Sequence, residues 1–233
     1  MDKEELRERY EATGNERYYE QAKPLYEAAL EGSPSDARLL REYGYLRECH
    51  GRYAIRDAAA CYQRAIDADP GQEKSHFQLF VALGTLGDLD TVLPRYEQQV
   101  ADAPAEPSGY RLLAAACLRA GEYGKAGQTI RAGLDIAPDD PALTEFEGDA
   151  FAATGHPDEA LASWRRAFTL APEDYGISMR FSAAFLLERQ GRMAEAADEW
   201  RFIIGWMEEG GDTIHIGWPR SILHHLETEQ TGS

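Results

Sequence analysis

Apolar residues in this chain recur three and four positions apart, the spacing that lines one face of an α-helix. Leu6 and Tyr10 form one such face, Tyr19, Ala22, Tyr26 and Ala29 the next, and Ile222, Leu223 and Leu226 the last. Glycine or proline interrupts the pattern between stretches, glycine as a helix stop and proline as a residue that cannot continue a helix. The first two stretches predict helices over 3–13 and 16–31, with Gly14 in the turn between them.

The interruptions keep a fixed interval. Gly121, Ala126, Ile130, Gly133 and Pro138 are answered by Gly155, Ala160, Trp164, Ala167 and Pro172, each pair 34 residues apart, as in 155 minus 121. Pro70, Pro104, Pro138 and Pro172 keep the same step, and so do Gly87, Gly121 and Gly155. A small residue followed four positions later by a large one recurs in Ala22 with Tyr26, Ala58 with Tyr62 and Val92 with Tyr96. It returns in Ala126 with Ile130, Ala160 with Trp164 and Ala196 with Trp200. A period in this range is the signature of a helical repeat array.

One unit reads as an antiparallel helix pair. Glycine falls between its two helices and proline follows the second, while the small residue admits close approach and the larger one fills the gap beside it. No pair buries its faces alone, so neighbours must stack. The fold class expected is therefore all-α, with about six helix pairs over residues 1–211. The repeats lie near 3–34, 36–70, 72–104, 107–138, 140–172 and 176–211. Residues 212–233 are expected to form a linker and a capping helix with a frayed tail, Pro219 serving as its first helical residue.

Departures from the ruler locate irregular copies. Gly51 to Gly87 and Gly155 to Gly191 are each 36 apart, so two extra residues enter near Tyr53–Arg56 and again near Glu173–Ser178. Ser35 or Asp36 caps the second repeat, and His156-Pro157-Asp158 opens the second helix of the fifth. Pro94 and Pro24 each follow the small position by two residues, so both second helices are expected to kink or begin late. Gly124, Gly127 and Gly133 in one helix each cost about 0.8 to 1 kcal/mol relative to alanine, a cost that close approach of neighbouring helices would offset. Gly133 stands where Ala29, Ala65 and Ala167 sit, which gives it a packing reason that Gly127 lacks.

In the first helices, Leu40, Tyr43, Gly44 and Arg47 are matched by His76, Leu79, Phe80 and Leu83, and by Tyr110, Leu113, Ala114 and Cys117. Thr144, Glu147, Gly148 and Phe151 follow, and then Arg180, Ala183, Ala184 and Leu187. Together with the small-x3-aromatic pair and the closing proline, these resemble the tetratricopeptide repeat family. Only Tyr110 keeps the family's aromatic opening, and Glu147 replaces an apolar residue, which predicts looser packing of the fifth repeat there. The resemblance implies an α-solenoid whose first helices line a concave groove that receives a peptide or partner protein. By that resemblance the groove positions are Arg41, Tyr45, Phe77, Val81, Arg111, Ala115, Glu145, Asp149, Phe181 and Phe185, with Glu48, Arg119 and Arg189 further along the same helices. The aromatic positions offer flat contact area, and Arg41 with Arg111 offers cations to ligand carboxylates. The alternative for the phenylalanines is packing between helices. Tyr45, Val81 and Ala115 stand where the family's chaperone-binding members carry asparagine, so that carboxylate clamp is not expected.

Composition narrows the partners. The 233 residues are 43% hydrophobic and 28% charged, and 41 acidic against 24 basic residues give a net charge of −17. Such a charge opposes phosphate backbones and anionic lipid, so neither nucleic acid nor membrane is the expected partner. Met1 to Tyr10 lacks the apolar stretch of a secretory signal, which makes a cytoplasmic location the expectation. Cys49, Cys61 and Cys117 have no CxxC spacing and read as small core residues.

No phosphate loop, GxSxG or dinucleotide fingerprint occurs, and the six histidines, His224-His225 and His215 among them, show no HExxH-type spacing. The expectation is a non-enzymatic scaffold with no cofactor and no metal, capturing a protein or peptide. Its alternative is a self-associating adaptor that oligomerises through the apolar C-terminal segment, Ile214 to Leu226.

Overall fold

The computed structural model describes the backbone of residues 1–50, 55–210 and 216–231 and, within these, every side chain except those of residues 16, 172–176 and 229–231. Gly51, Tyr53, Gly211, Ile214 and His215 lie outside the described residues. Thirteen α-helices occur among the described residues. The chain divides into two compact units, Met1–Glu122 and Tyr123–Ser233. The division falls at the turn inside the fourth repeat.

The first unit contains α1 (Lys3–Thr13), α2 (Glu16–Gly32), α3 (Ala37–Cys49), α4 (Ile55–Ala68) and α5 (Glu73–Leu86). A 3-10 turn (Leu89–Thr91), α6 (Leu93–Asp102) and α7 (Pro107–Ala120) complete it. Each second helix packs on the next first helix, α2 on α3, α4 on α5 and α6 on α7, and the first helices also touch in the series α1, α3, α5, α7. Such nearest-neighbour contact is how an array buries faces that a lone pair leaves wet.

The second unit contains α8 (Tyr123–Ile136), α9 (Pro141–Ala153), α10 (Pro157–Leu170), α11 (Pro172–Arg189), α12 (Met193–Glu209) and α13 (Gly217–Thr231). Here each helix packs on the next, and α9 also meets α11 directly. Ile216 and Leu226, which flank and belong to α13, are buried in one apolar cluster with Leu187, Trp200, Ile203 and Met207 of α11 and α12.

The small-and-large pair makes the core. Ala22, Ala58, Ala126, Ala160 and Ala196 are fully buried, and so are Tyr26, Tyr62, Tyr96 and Trp200. The third copy departs from the rule, because Val92 is the N-cap of α6 rather than an interior residue and Leu93 is buried beside it. Pro94 explains this, since it occupies the first turn of α6, where its missing N–H costs nothing. Pro24 behaves differently: α2 runs continuously through it.

The repeat glycines close the first helices in one way. Gly121 has φ +78°, and Glu122 N–H donates to the Cys117 carbonyl at 2.9 Å. Asp88 to Leu83, His156 to Phe151 and Arg192 to Leu187 repeat that bond at 2.9 Å after Gly87, Gly155 and Gly191. This six-to-one bond with a left-handed residue satisfies carbonyls that a helix end leaves free. Aspartates open helices by the complementary device: Asp36 and Asp140 accept from the backbone N–H of Leu39 and Leu143, each at 2.9 Å.

The two residues inserted before the sixth repeat form no loop. They extend α11 to 18 residues, where α9 has 13. Pro172 both follows the end of α10 and occupies the first turn of α11.

Among the described residues, no helix is long and apolar enough to cross a membrane.

Candidate functional site

A first helix presents two kinds of position. Its buried side packs on neighbouring helices, and the ten groove positions expected from the sequence are half-buried, apart from the exposed Phe185. Those in the first unit come from α3, α5 and α7, and those in the second from α9 and α11.

On the first unit the face is polar but internally matched. Tyr45 donates its hydroxyl to Glu11 at 2.5 Å, and the Arg7 guanidinium lies 5.9 Å from the Tyr45 ring centre. Burial and the adjacent Glu11 carboxylate both push the Tyr45 phenol well above its usual range. Arg41 lies 3.7 Å from the buried Glu42 carboxylate, which Arg38 also contacts at 2.8 Å. Arg111 reaches Glu73 with two nitrogens, Nη2 to Oε1 and Nε to Oε2, the latter at 3.3 Å. Phe77 and Val81 are half-buried, Phe77 packing edge-on against Phe80 at 6.5 Å.

These partners alter what the arginines can do. A partly exposed ion pair is worth about 0 to 1 kcal/mol. A ligand carboxylate would therefore exchange one modest pairing of Arg111 for another. The sequence places Arg111 on the face, but Glu73 is 38 residues away and no spacing rule joins them.

On the second unit the face is acidic at one end and aromatic at the other. Glu145 and Asp149 stand one turn apart on α9. Ser178 of α11 lies 3.4 Å from Glu145, and Trp164 donates its indole N–H to Asp149 at 3.0 Å. Burial, and then the Asp149 charge, push the Glu145 carboxyl up to about 7, with the Ser178 hydroxyl acting weakly in the other direction. Further along α11, Phe181 stacks on Trp218 at 5.8 Å and meets Trp200 edge-on at 5.6 Å. Phe185 lies 5.3 Å from Trp200 and 5.9 Å from Trp218. The rings pack together, and Phe185 is 40% and Trp218 52% exposed.

Sequence reasoning missed Trp218 as a member of this face. The sequence placed the residue at the start of a capping helix, and in the structure its ring turns back onto α11. The helix begins at Gly217, two residues before the Pro219 expected to open it, and an aromatic beside that proline was the available signal. Sequence reasoning also missed a recurring tie in which the large residue of a second helix donates to an acid of its first helix. Tyr62 donates to Glu48 at 2.8 Å, Trp164 to Asp149 at 3.0 Å and Trp200 to Glu188 at 2.5 Å. Glu147 joins a bond of similar kind, accepting from Ser163 at 2.8 Å, which accounts for an acid at an apolar position.

His76 shows how a titratable group becomes structural. Its Nε2 faces the Pro70 carbonyl at 3.0 Å and its Nδ1 the Tyr96 hydroxyl at 2.7 Å. A carbonyl only accepts, so Nε2 carries the proton and Nδ1 accepts from tyrosine. Burial holds the ring's pKa below its ordinary value, in keeping with that neutral form. Among the described residues, no group of three or more His, Cys, Asp or Glu side chains is placed to hold a metal ion.

The tetratricopeptide repeat family profile matches residues 12–73, 77–141 and 147–200. The first two segments are close to two of the 34-residue periods and the third is shorter. No curated protein sequence matches the chain significantly. Among solved structures, a thermophilic tetratricopeptide protein of Thermus thermophilus is similar with a TM-score of 0.59 and 20% identity, covering 80% of this chain and 98% of that one. A human IFIT1 dimer with m7Gppp-AAAA gives a TM-score of 0.56 at 17% identity, over 80% of this chain and 45% of that one. A tetratricopeptide repeat protein of Parabacteroides merdae gives 0.50 at 16% identity, over 87% and 79%. At these identities the likeness concerns the fold.

Proposed function

The chain belongs to the tetratricopeptide repeat family, and from that premise we propose that it is a protein-interaction scaffold whose first-helix faces capture a peptide segment or partner protein. The observation that carries this reading is the face of α11 and the start of α13, where Phe185 and Trp218 keep large ring areas in solvent while packed against the buried Trp200. Aromatic side chains held in place by packing supply contact area at low entropic cost, the property of interface anchors. On the first unit, the half-buried Tyr45, Phe77 and Val81 offer a surface of the same kind on α3 and α5.

Site-specific photo-crosslinking tests the reading. A photoreactive phenylalanine at Tyr45, Val81 or Phe185 is expected to capture partner polypeptides, whereas one at the exposed second-helix positions Gln128 or Glu159 is not. Capture confined to the second-helix positions overturns the face assignment.

Self-association through the C-terminal segment is the alternative. Burial of Ile216 and Leu226 within their own chain supports a capping role for α13 instead. The exposed Trp206 and Phe202, one turn apart on α12, are what would favour association of copies. Sedimentation equilibrium of the full chain distinguishes the two, an adaptor giving an oligomer's mass and a self-capped chain a monomer's.

A further inference from the structure

Charge and ring placement on the second unit specify the chemistry of the occupant more narrowly. We propose that the face formed by α9, α11 and the start of α13 docks a basic peptide segment, whose lysine or arginine side chains meet the Glu145 and Asp149 carboxylates and the exposed rings of Phe185 and Trp218. This rests on the scaffold reading and adds the sign of the partner.

The face is continuous by helix geometry. Ser178, Phe181 and Phe185 follow one another by three and four residues, so they share one side of α11. At 1.5 Å per residue this row is about 10 Å long. Glu145 contacts Ser178 at the head of that row, and Trp218 covers Phe181 and approaches Phe185 at its foot. A row of this length matches an extended segment that offers side chains to one side about every 7 Å.

Electrostatics select a cation. Burial and the neighbouring Asp149 are the two largest influences on Glu145, both unfavourable to its ionised form, and the third is a serine hydroxyl. An arriving ammonium or guanidinium group replaces that repulsion with attraction. At the other end, ring faces attract cations and offer nothing comparable to an anion. The first unit presents the opposite case, its Arg111 already held by Glu73. The excess of 41 acidic over 24 basic residues also draws a basic segment toward the chain, but diffusely. The test must separate that background from the site.

Isothermal titration of the full chain at physiological salt compares a short capped peptide of alternating lysine and alanine with its glutamate counterpart. The lysine peptide is expected to bind and the glutamate peptide not. Glu145→Gln with Asp149→Asn, which keeps an acceptor for Trp164, is expected to weaken binding about tenfold or more, and Trp218→Ala about threefold or more. Asp135→Asn with Glu159→Gln removes two carboxylates from exposed positions of the same unit and is expected to change affinity less than about twofold. Equal losses in the two double variants, equal binding of both peptides, or no binding of the lysine peptide each overturn the proposal. If circular dichroism shows the site double variant unfolded, Glu145→Gln alone carries the comparison, and retention of full affinity overturns the proposal. Capture of an acidic or neutral partner by the photoreactive group at Phe185 would leave the scaffold reading standing while this inference fails.

Discussion

The indole of Trp164 occupies the space that a β-carbon on Gly148 would need, its Cδ1 and Nε1 being the nearest atoms. The same relationship holds between Gly44 and Tyr62, where a β-carbon would come within 2.7 Å of the ring. A glycine in one helix and an aromatic in the next therefore form a single packing device, and its two members are encoded 16 and 18 residues apart. Forcing a methyl group against a buried ring costs about 1 to 3 kcal/mol. Gly148→Ala is expected to lower stability by that amount in urea denaturation. An unchanged midpoint would show that the indole has room to move.

Gly127 in α8 and Gly205 in α12 are the opposite case, since a β-carbon at either would meet nothing within 4 Å. In α8 the sequence offers a packing reason for Gly133, which is buried, and none for Gly127. A β-carbon at Gly124 would likewise meet open space. Gly127→Ala and Gly205→Ala are each expected to stabilise the chain by about 0.5 to 1 kcal/mol, through helix propensity alone. Thermal melts of the two variants check this, and a lower melting temperature in either would contradict it.

The two prolines of second helices should separate cleanly. Pro24 sits in the interior of α2 and is exposed, so it removes a helix hydrogen bond without contributing core packing. Pro94 lies in the first turn of α6, where no intrahelical bond is lost. Pro24→Ala is expected to raise stability by up to about 3 kcal/mol, and Pro94→Ala to change it by less than about 1. Equilibrium unfolding measures both, and equal effects would contradict the assignment.

Much of this was legible in the chain because punctuation repeats. Gly87, Gly121, Gly155 and Gly191 marked turns, and each takes the left-handed conformation that glycine tolerates. Pro172 was ambiguous, because a proline that ends one helix also fits the first turn of the next. The structure uses it both ways, which is how the extra residues vanish into α11. The candidate face was legible only as positions. Whether Arg111 is available depends on Glu73, and whether Phe185 is exposed depends on Trp218. Those relations join residues 38 and 33 apart across different helices, beyond the reach of local spacing rules.

Glu145 gives the face a pH signature. Its carboxyl is raised from an ordinary 4.5 to about 7, burial first and Asp149 second. The folded chain thus holds this proton more tightly than the unfolded chain. The resulting cost to stability is absent below about pH 4.5, grows as pH rises, and is complete above about pH 7. A shift of this size corresponds to at most about 3 kcal/mol. Glu145→Gln is expected to stabilise the protein at about pH 8 and to have little effect at about pH 4.5, as read from melting temperatures. A uniform effect at both values would contradict the linkage.

Hydrogen exchange across the full chain, with and without the partner recovered by photo-crosslinking, tests the central claim most directly. The account predicts slowed exchange concentrated in the first helices, above all α9 and α11, together with the start of α13. Protection concentrated instead on the second helices α8, α10 and α12 would contradict it.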